Sequence, residues 1–116
     1  MSNNQHISLP EAVTLTTSYR NNRPADFFIS ETFDAANVQQ ILVQPDCQYL
    51  RIYLGRKADQ SVVAVLVGAD SQQADILPSS EAVPAEAAVA DNANGVILED
   101  GYRCPEFCPK PSPLNP

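Results

Sequence analysis

The sequence predicts an α+β protein: two short N-terminal helices packed on a small antiparallel sheet, made of a hairpin plus one late strand, followed by a proline-rich tail. Three observations carry that expectation. A capping-box pattern at Ser8 leads into apolar residues at helical spacing. An alternating run at 49–54 is followed, across a polar loop, by a β-branched run. Prolines then recur through residues 104–116, where no regular element survives them.

The elements follow in order. Ser8 can accept the Glu11 amide while the Glu11 side chain returns to the Ser8 amide, and Pro10 is tolerated in a first turn. Ile7 can staple onto Ala12. Ala12, Leu15, Thr16 and Tyr19 fall at i, i+3, i+4 and i+7, one helix face, and Asn21-Asn22-Arg23-Pro24 ends it. Asp26-Phe27-Phe28-Ile29-Ser30 is either a brief strand or a loop that plugs the core. A second helix, capped by Thr32 or Asp34, is expected to bury Ala35, Val38, Ile41 and Leu42, with Pro45-Asp46 closing it.

The hairpin is the clearest element. Leu50, Ile52 and Leu54 alternate with Tyr49, Arg51 and Tyr53. After the loop Gly55-Arg56-Lys57-Ala58-Asp59-Gln60, the run from Ser61 to Val67 suits a strand buried on both faces. Beyond Gly68 the composition becomes Ala-rich and acidic, which reads as a linker or excursion in which a helix over 85–91 is conceivable. Gly95-Val96-Ile97-Leu98-Glu99 is a short apolar run expected to return to the hairpin as a third strand.

These features divide one domain, 1–116, into a core of helices and hairpin (7–68), an acidic insert or linker (69–94), a late strand (95–103) and a Cys/Pro-rich tail (104–116). Without insert and tail, roughly 75–80 residues remain to build a core, a size at which burial gives modest stability. A sheet of two or three strands leaves edges to cover, and pairing between copies covers them, so self-association is expected.

The net charge is −7. Asp70, Asp75, Glu81, Glu86, Asp91, Glu99 and Asp100 lie between Ala69 and Gly101 without a single Lys or Arg, so this stretch holds the whole imbalance. Spaced single acids in an Ala-rich stretch serve solvation. The same charge makes nucleic acid and anionic membranes poor partners. There is no apolar run long enough to span a bilayer, and no basic region followed by an apolar stretch at the N-terminus, so a cytoplasmic protein is expected.

Little in the chain points to catalysis. There is no GxGxxG, no GxxxxGK[ST] and no HExxH. Cys104 and Cys108 have three residues between them and a proline after each, unlike the Cys-x-x-Cys of a thioredoxin-type site. His6, the only histidine, sits in a polar N-terminal arm. The carboxylate pairs Glu99-Asp100 and Glu31 with Asp34 suit turns and caps. Cys47, Cys104, Cys108 and His6 would complete a Cys3His zinc set, the alternative reading of the tail; a disulfide is a second alternative, and reduced, packed thiols the favoured state. Pro109-Lys110-Pro111-Ser112-Pro113 can form a polyproline helix that docks in an aromatic groove.

The order of motifs is similar to that of small uncharacterised bacterial proteins. It comprises Thr17-x-Tyr19-Arg20, Gln44-Pro45-x-Cys47, Arg51-Ile52-Tyr53-Leu54-Gly55, Val65-Leu66-Val67-Gly68-Ala69-Asp70 and a Cys-Pro-rich end. The resemblance covers roughly residues 7–77 and 95–109. It implies a bacterial, cytoplasmic, soluble protein and transfers no functional residues. The expected function is therefore non-catalytic: a protein-interaction or self-assembling component, its partners copies of itself, with no cofactor. Tyr49, Arg51 and Tyr53 on the strand and Phe107 in the tail are the expected contact residues.

Overall fold

The computed structural model describes residues 4–24, 27–78 and 95–116. Along the chain lie α1 (Leu9–Asn22), β1 (Ser30–Thr32), α2 (Ala35–Leu42), β2 (Tyr49–Arg56), β3 (Val62–Ala69), β4 (Asp75–Ile76) and β5 (Tyr102–Cys104). Two helices accompany two small antiparallel sheets, β2-β3-β4 and β1-β5, an α+β architecture. The helix considered over 85–91, and the insert from 79 to 94, lie outside the described residues.

The start of α1 follows from its sequence. Ser8 Oγ accepts the Glu11 amide at 3.1 Å, and Glu11 Oε1 accepts the Ser8 amide at 2.8 Å. The Ser8 amide foremost, and then the Ser8 hydroxyl, stabilise the charged form of Glu11 and hold its carboxyl below the ordinary value. The packing of α1 differs from the expectation that both helices cover the sheet, because none of its residues is buried. Threonines interrupt its apolar face, leaving Leu15 and Tyr19 as the large contacts. Tyr19 Oη donates to the Phe28 carbonyl at 2.6 Å, and Arg20 donates to the Leu114 carbonyl at 2.9 Å. The helix thus rests beside β1 and the tail, with a cavity of about 460 Å³ among Leu15, Tyr19, Ile29, Thr32, Pro109 and Leu114.

The second helix does cover the sheet. Asp34 occupies its N-cap, with the backbone carbonyl accepting the Asn37 and Val38 amides while the side chain makes no capping bond. Thr32 lies in β1 instead. Ile41 is fully buried and packs on Ala64 and Leu66, with Phe33, Val38, Cys47, Val96 and Leu98 around them. Ala35 and Leu42, expected on the buried face, are exposed. An α-helix of this length is about 12 Å long and presents one narrow stripe, so it covers one strand well and its neighbour poorly. At Gly68 the contact is close enough that a Cβ would stand 2.8 Å from Cys47 Sγ and 3.2 Å from Ile41 Cγ2.

The hairpin pairs Tyr49 with Ala69 through Arg56 with Val62, without slippage. Its loop closes with the Lys57 amide on the Ser61 carbonyl at 2.9 Å and Gln60 in the left-handed region at φ 78°. Asp59 Oδ1 accepts both the Ser61 hydroxyl and amide, which holds the Asp59 carboxyl low. β3 is buried nearly throughout, as a β-branched run on a central strand should be.

The late segment departs from expectation. Only Leu98 returns to the hairpin, exchanging both backbone hydrogen bonds with Leu66 at 2.9 and 3.0 Å. The strand proper, β5, pairs with β1 in the second sheet: Ser30 with Cys104, Glu31 with Arg103, Thr32 with Tyr102. The third strand of the main sheet is instead β4, inside the stretch expected to be linker. Asp70 explains it: its side chain accepts the Gln72 and Ala74 amides at 2.9 Å, folding a turn that lays Asp75 beside Ala69. The tail also folds back, with Ser112 and Asn115 exchanging backbone bonds.

Glu31 joins the two sheets. Its side chain is only 4% exposed; Oε1 accepts the Ala64 amide of β3 at 3.1 Å, and Oε2 accepts the Gly101 amide at 2.9 Å and Arg103 at 3.5 Å. A Cβ at Gly101 would stand 2.8 Å from the Glu31 side chain and from the Thr32 carbonyl, so only glycine allows this approach. The edge of β3 facing away from β2 is therefore capped residue by residue: Ala64 by Glu31, Leu66 by Leu98, Gly68 by Ile76 of β4.

Candidate functional site

β2 carries the expected contact residues, and the register fixes which way each group points. Lys57 bonds Ser61, and their positions are direct partners in the ladder. In an antiparallel ladder such hydrogen-bonded pairs alternate with non-bonded ones. Arg51 and Tyr53 therefore belong to bonded pairs, whereas Leu50, Ile52, Leu54 and Arg56 do not. Leu66, the partner of Ile52, confirms the alternation by sending both its backbone groups to Leu98 on the opposite side. The N–H and C=O groups of Leu50, Ile52, Leu54 and Arg56 point outward, along an edge that has no strand partner among the described residues.

The side chains of that edge are apolar and exposed: Leu50 by 41%, Ile52 by 58% and Leu54 by 78%. They share a face with Ala64, Leu66 and Gly68, where Ile41 of α2 packs, but α2 leaves the three side chains of β2 exposed. The alternation in the sequence sets these three on one face and Tyr49, Arg51 and Tyr53 on the other; the structure exposes large side chains on both. The missing signal is three-dimensional, since nothing in 49–54 reports how far a helix from 35–42 reaches.

On the other face, Tyr49 and Tyr53 are exposed and Arg51 is half-buried. Arg51 Nη1 lies 2.5 Å from Asp75 Oδ1 and 3.1 Å from the Gln73 carbonyl, while Nη2 reaches Gln73 Oε1 at 2.9 Å. Tyr53 Oη donates to Asp75 Oδ2 at 2.6 Å. Asp75 thus holds Tyr53 and Arg51 from across β3, in fixed geometry. The Tyr53 hydrogen bond, followed by that of Arg51, holds the Asp75 carboxyl below its ordinary value, and the same Asp75 bond raises the Tyr53 phenol above its own.

The sign of each effect sets its pH window. A depressed carboxylate contributes stability that is present above its unfolded value near pH 4 and lost as pH falls through the folded one. A raised phenol contributes stability that is present below about pH 10 and lost as pH rises through the folded value. Asp75→Asn is expected to return the Tyr53 titration toward about pH 10, read by ultraviolet difference spectra or NMR. An unshifted Tyr53 midpoint in the variant would break the link.

Phe107 is exposed and stands by the second sheet, edge-to-face with Tyr102 at 6.2 Å between ring centres. The zinc set is not assembled. Cys104 and Cys108 are joined in a disulfide, which removes two of the four thiolate or imidazole ligands. Cys47 is a free, half-buried thiol beside Gly68, and His6 lies exposed in the N-terminal segment. Among the described residues no three His, Cys, Asp or Glu side chains are grouped to hold a metal. The favoured reduced state of the tail thiols is also replaced: β5 ends at Cys104, and the turn closed by the Phe107 amide on the Arg103 carbonyl brings the two Cα atoms to 4.4 Å.

The molecule is thus a small α+β protein whose distinctive surface is an eight-residue strand with one edge that has no strand partner among the described residues. It matches no protein-family model, no curated protein and no solved structure. No helix among the described residues is long and apolar enough to cross a membrane.

Proposed function

We propose that this chain is a non-catalytic interaction protein that self-assembles, and that its contact surface is the outer edge of β2. One observation supports this most: Ala64, Leu66 and Gly68 on the outer edge of β3 are capped, whereas among the described residues the outer edge of β2, lined by Leu50, Ile52 and Leu54, has no strand partner. Long apolar edges are what soluble proteins ordinarily avoid or cover. The wider inventory agrees, since eight hydrophobic side chains are buried and sixteen large ones are exposed among the described residues. Tyr49, Arg51 and Tyr53 rim the edge, with Asp75 holding two of them in place. Phe107 and Tyr102 offer a second aromatic contact.

A second copy suits this edge better than nucleic acid or an anionic membrane, because the chain carries −7 overall while two of the cations near the edge are engaged at home, Arg51 with Asp75 and Lys57 with Glu99 and Asp100. The Cys104–Cys108 disulfide argues against the expected cytoplasmic setting, as a reducing cytosol keeps most cysteine pairs as thiols.

The test is sedimentation of the full chain and of Ile52→Lys. Ile52 is exposed, so the substitution leaves thermal unfolding within a few degrees, while a lysine on the edge opposes strand pairing. The wild type is expected to sediment as an oligomer and the variant as a monomer. A monomeric wild type, or an oligomer unaffected by the lysine, contradicts the proposal.

A further inference from the structure

We infer that the partner of β2 is β2 of a second copy, antiparallel about a two-fold axis at Ile52, so that Leu50 lies opposite the partner's Leu54 and Ile52 opposite the partner's Ile52. This rests on the proposed self-assembly and specifies its geometry. The outward backbone groups come first: they belong to Leu50, Ile52, Leu54 and Arg56, so hydrogen-bonded pairs across the new ladder form among these residues alone. Two-fold symmetry then leaves a small set of registers, centred at Arg51, Ile52 or Tyr53.

Side-chain chemistry separates them. Residues directly opposite in an antiparallel pair share a face and touch. Centring at Arg51 opposes two arginines, a like-charge pair. Centring at Tyr53 sets Leu50 against the partner's Arg56, an apolar side chain against a charge, and Arg51 against the partner's Gly55. Centring at Ile52 matches every position. Leu50 meets the partner's Leu54 and Ile52 its own copy, so six apolar side chains form one strip. On the other face Arg51 falls in register with the partner's Tyr53, both side chains staying on Asp75 of their own copy. Tyr49 covers the partner's Gly55, filling the gap a strand glycine leaves.

Charge is consistent with the same register. The stretch 47–58 holds no acid, so the acidic remainder of each copy stays off the seam. Arg56 faces the partner's Gln48, and no two like charges are opposed. Pairing over Tyr49–Gly55 spans about 24 Å and forms about six backbone hydrogen bonds, continuing each three-stranded sheet into one of twice the width.

Cysteine cross-linking reads the register directly. In a Cys47→Ser background, which removes the free thiol, single Ile52→Cys and Tyr53→Cys variants are oxidised mildly and run without reductant. Both positions are exposed, and circular dichroism checks that each variant is folded. The proposed register places the two Ile52 Cα atoms about 5.5 Å apart, within disulfide reach, and the two Tyr53 atoms beyond it. Ile52→Cys is expected to cross-link about tenfold more than Tyr53→Cys. Preferential cross-linking at Tyr53→Cys overturns the register while leaving self-assembly through β2 intact. Cross-linking at neither position, in a protein that still sediments as an oligomer, overturns the register, and failure of an Arg51→Cys variant to cross-link as well overturns the β2 edge as the contact. A protein that sediments as a monomer removes the proposed function itself.

Discussion

Ile41→Ala is expected to lower the unfolding free energy by about 3 kcal/mol, measured by urea denaturation at constant protein concentration. Ile41 is 0% exposed and is the one residue of α2 that reaches the centre of the core. It packs on Ala64 and Leu66 of β3, and removing its side chain leaves a void between helix and strand that Phe33, Val38 and Leu98 only partly refill. A domain of this size has about 5–15 kcal/mol of stability to lose, so one such cavity consumes a large share. A loss below about 1 kcal/mol would mean that α2 is not the cover of β3.

Glu31→Ala should cost a similar amount, about 3 kcal/mol, although a carboxylate on a three-residue strand looks peripheral in the sequence. Its side chain is the acceptor for the Ala64 and Gly101 amides and the counter-ion of Arg103. Alanine leaves two backbone donors without their acceptor and the Arg103 guanidinium with only Glu99 at 3.9 Å, and cuts the polar tie between the two sheets. Glu31→Gln keeps the shape and one acceptor but turns an N–H donor toward an amide donor, so an intermediate loss of about 2 kcal/mol is expected. If both variants unfold as the wild type does, the two sheets are joined by apolar contacts alone.

These residues show what the sequence could reveal. The α1 cap was legible because both halves of the Ser8–Glu11 pattern lie within one turn, and the structure reproduces both bonds. The hairpin was legible because period-two alternation and a polar loop are local signals, and β3 announced its burial through its β-branched composition. The failures share a different origin. β4 depends on an Asp70 side chain folding a turn and on Arg51 receiving Asp75, which no stretch of composition encodes. β5 chose β1 over the hairpin because Leu98 and Glu31 already occupy the edge of β3.

The candidate site was half legible in the same sense. Tyr49, Arg51 and Tyr53 were expected as contacts, and the structure sets them together on β2, with Phe107 at the second sheet. Leu50, Ile52 and Leu54 were missed because alternation marks two faces without saying which is covered. That depends on how far the side chains of α2 reach across the sheet, a matter of helix length and crossing rather than of the strand's own residues.

Backbone amide hydrogen exchange on β2 tests the central claim most directly. In the hairpin alone, the amides of Arg51 and Tyr53 are bonded to β3 and those of Leu50, Ile52 and Leu54 are open. Self-pairing closes the open set. In concentrated wild-type protein, Leu50, Ile52 and Leu54 are expected to be protected alongside Arg51 and Tyr53, and in Ile52→Lys the first set alone should exchange freely. Free exchange at Leu50, Ile52 and Leu54 in the concentrated wild type, with Arg51 and Tyr53 still protected, would contradict the account.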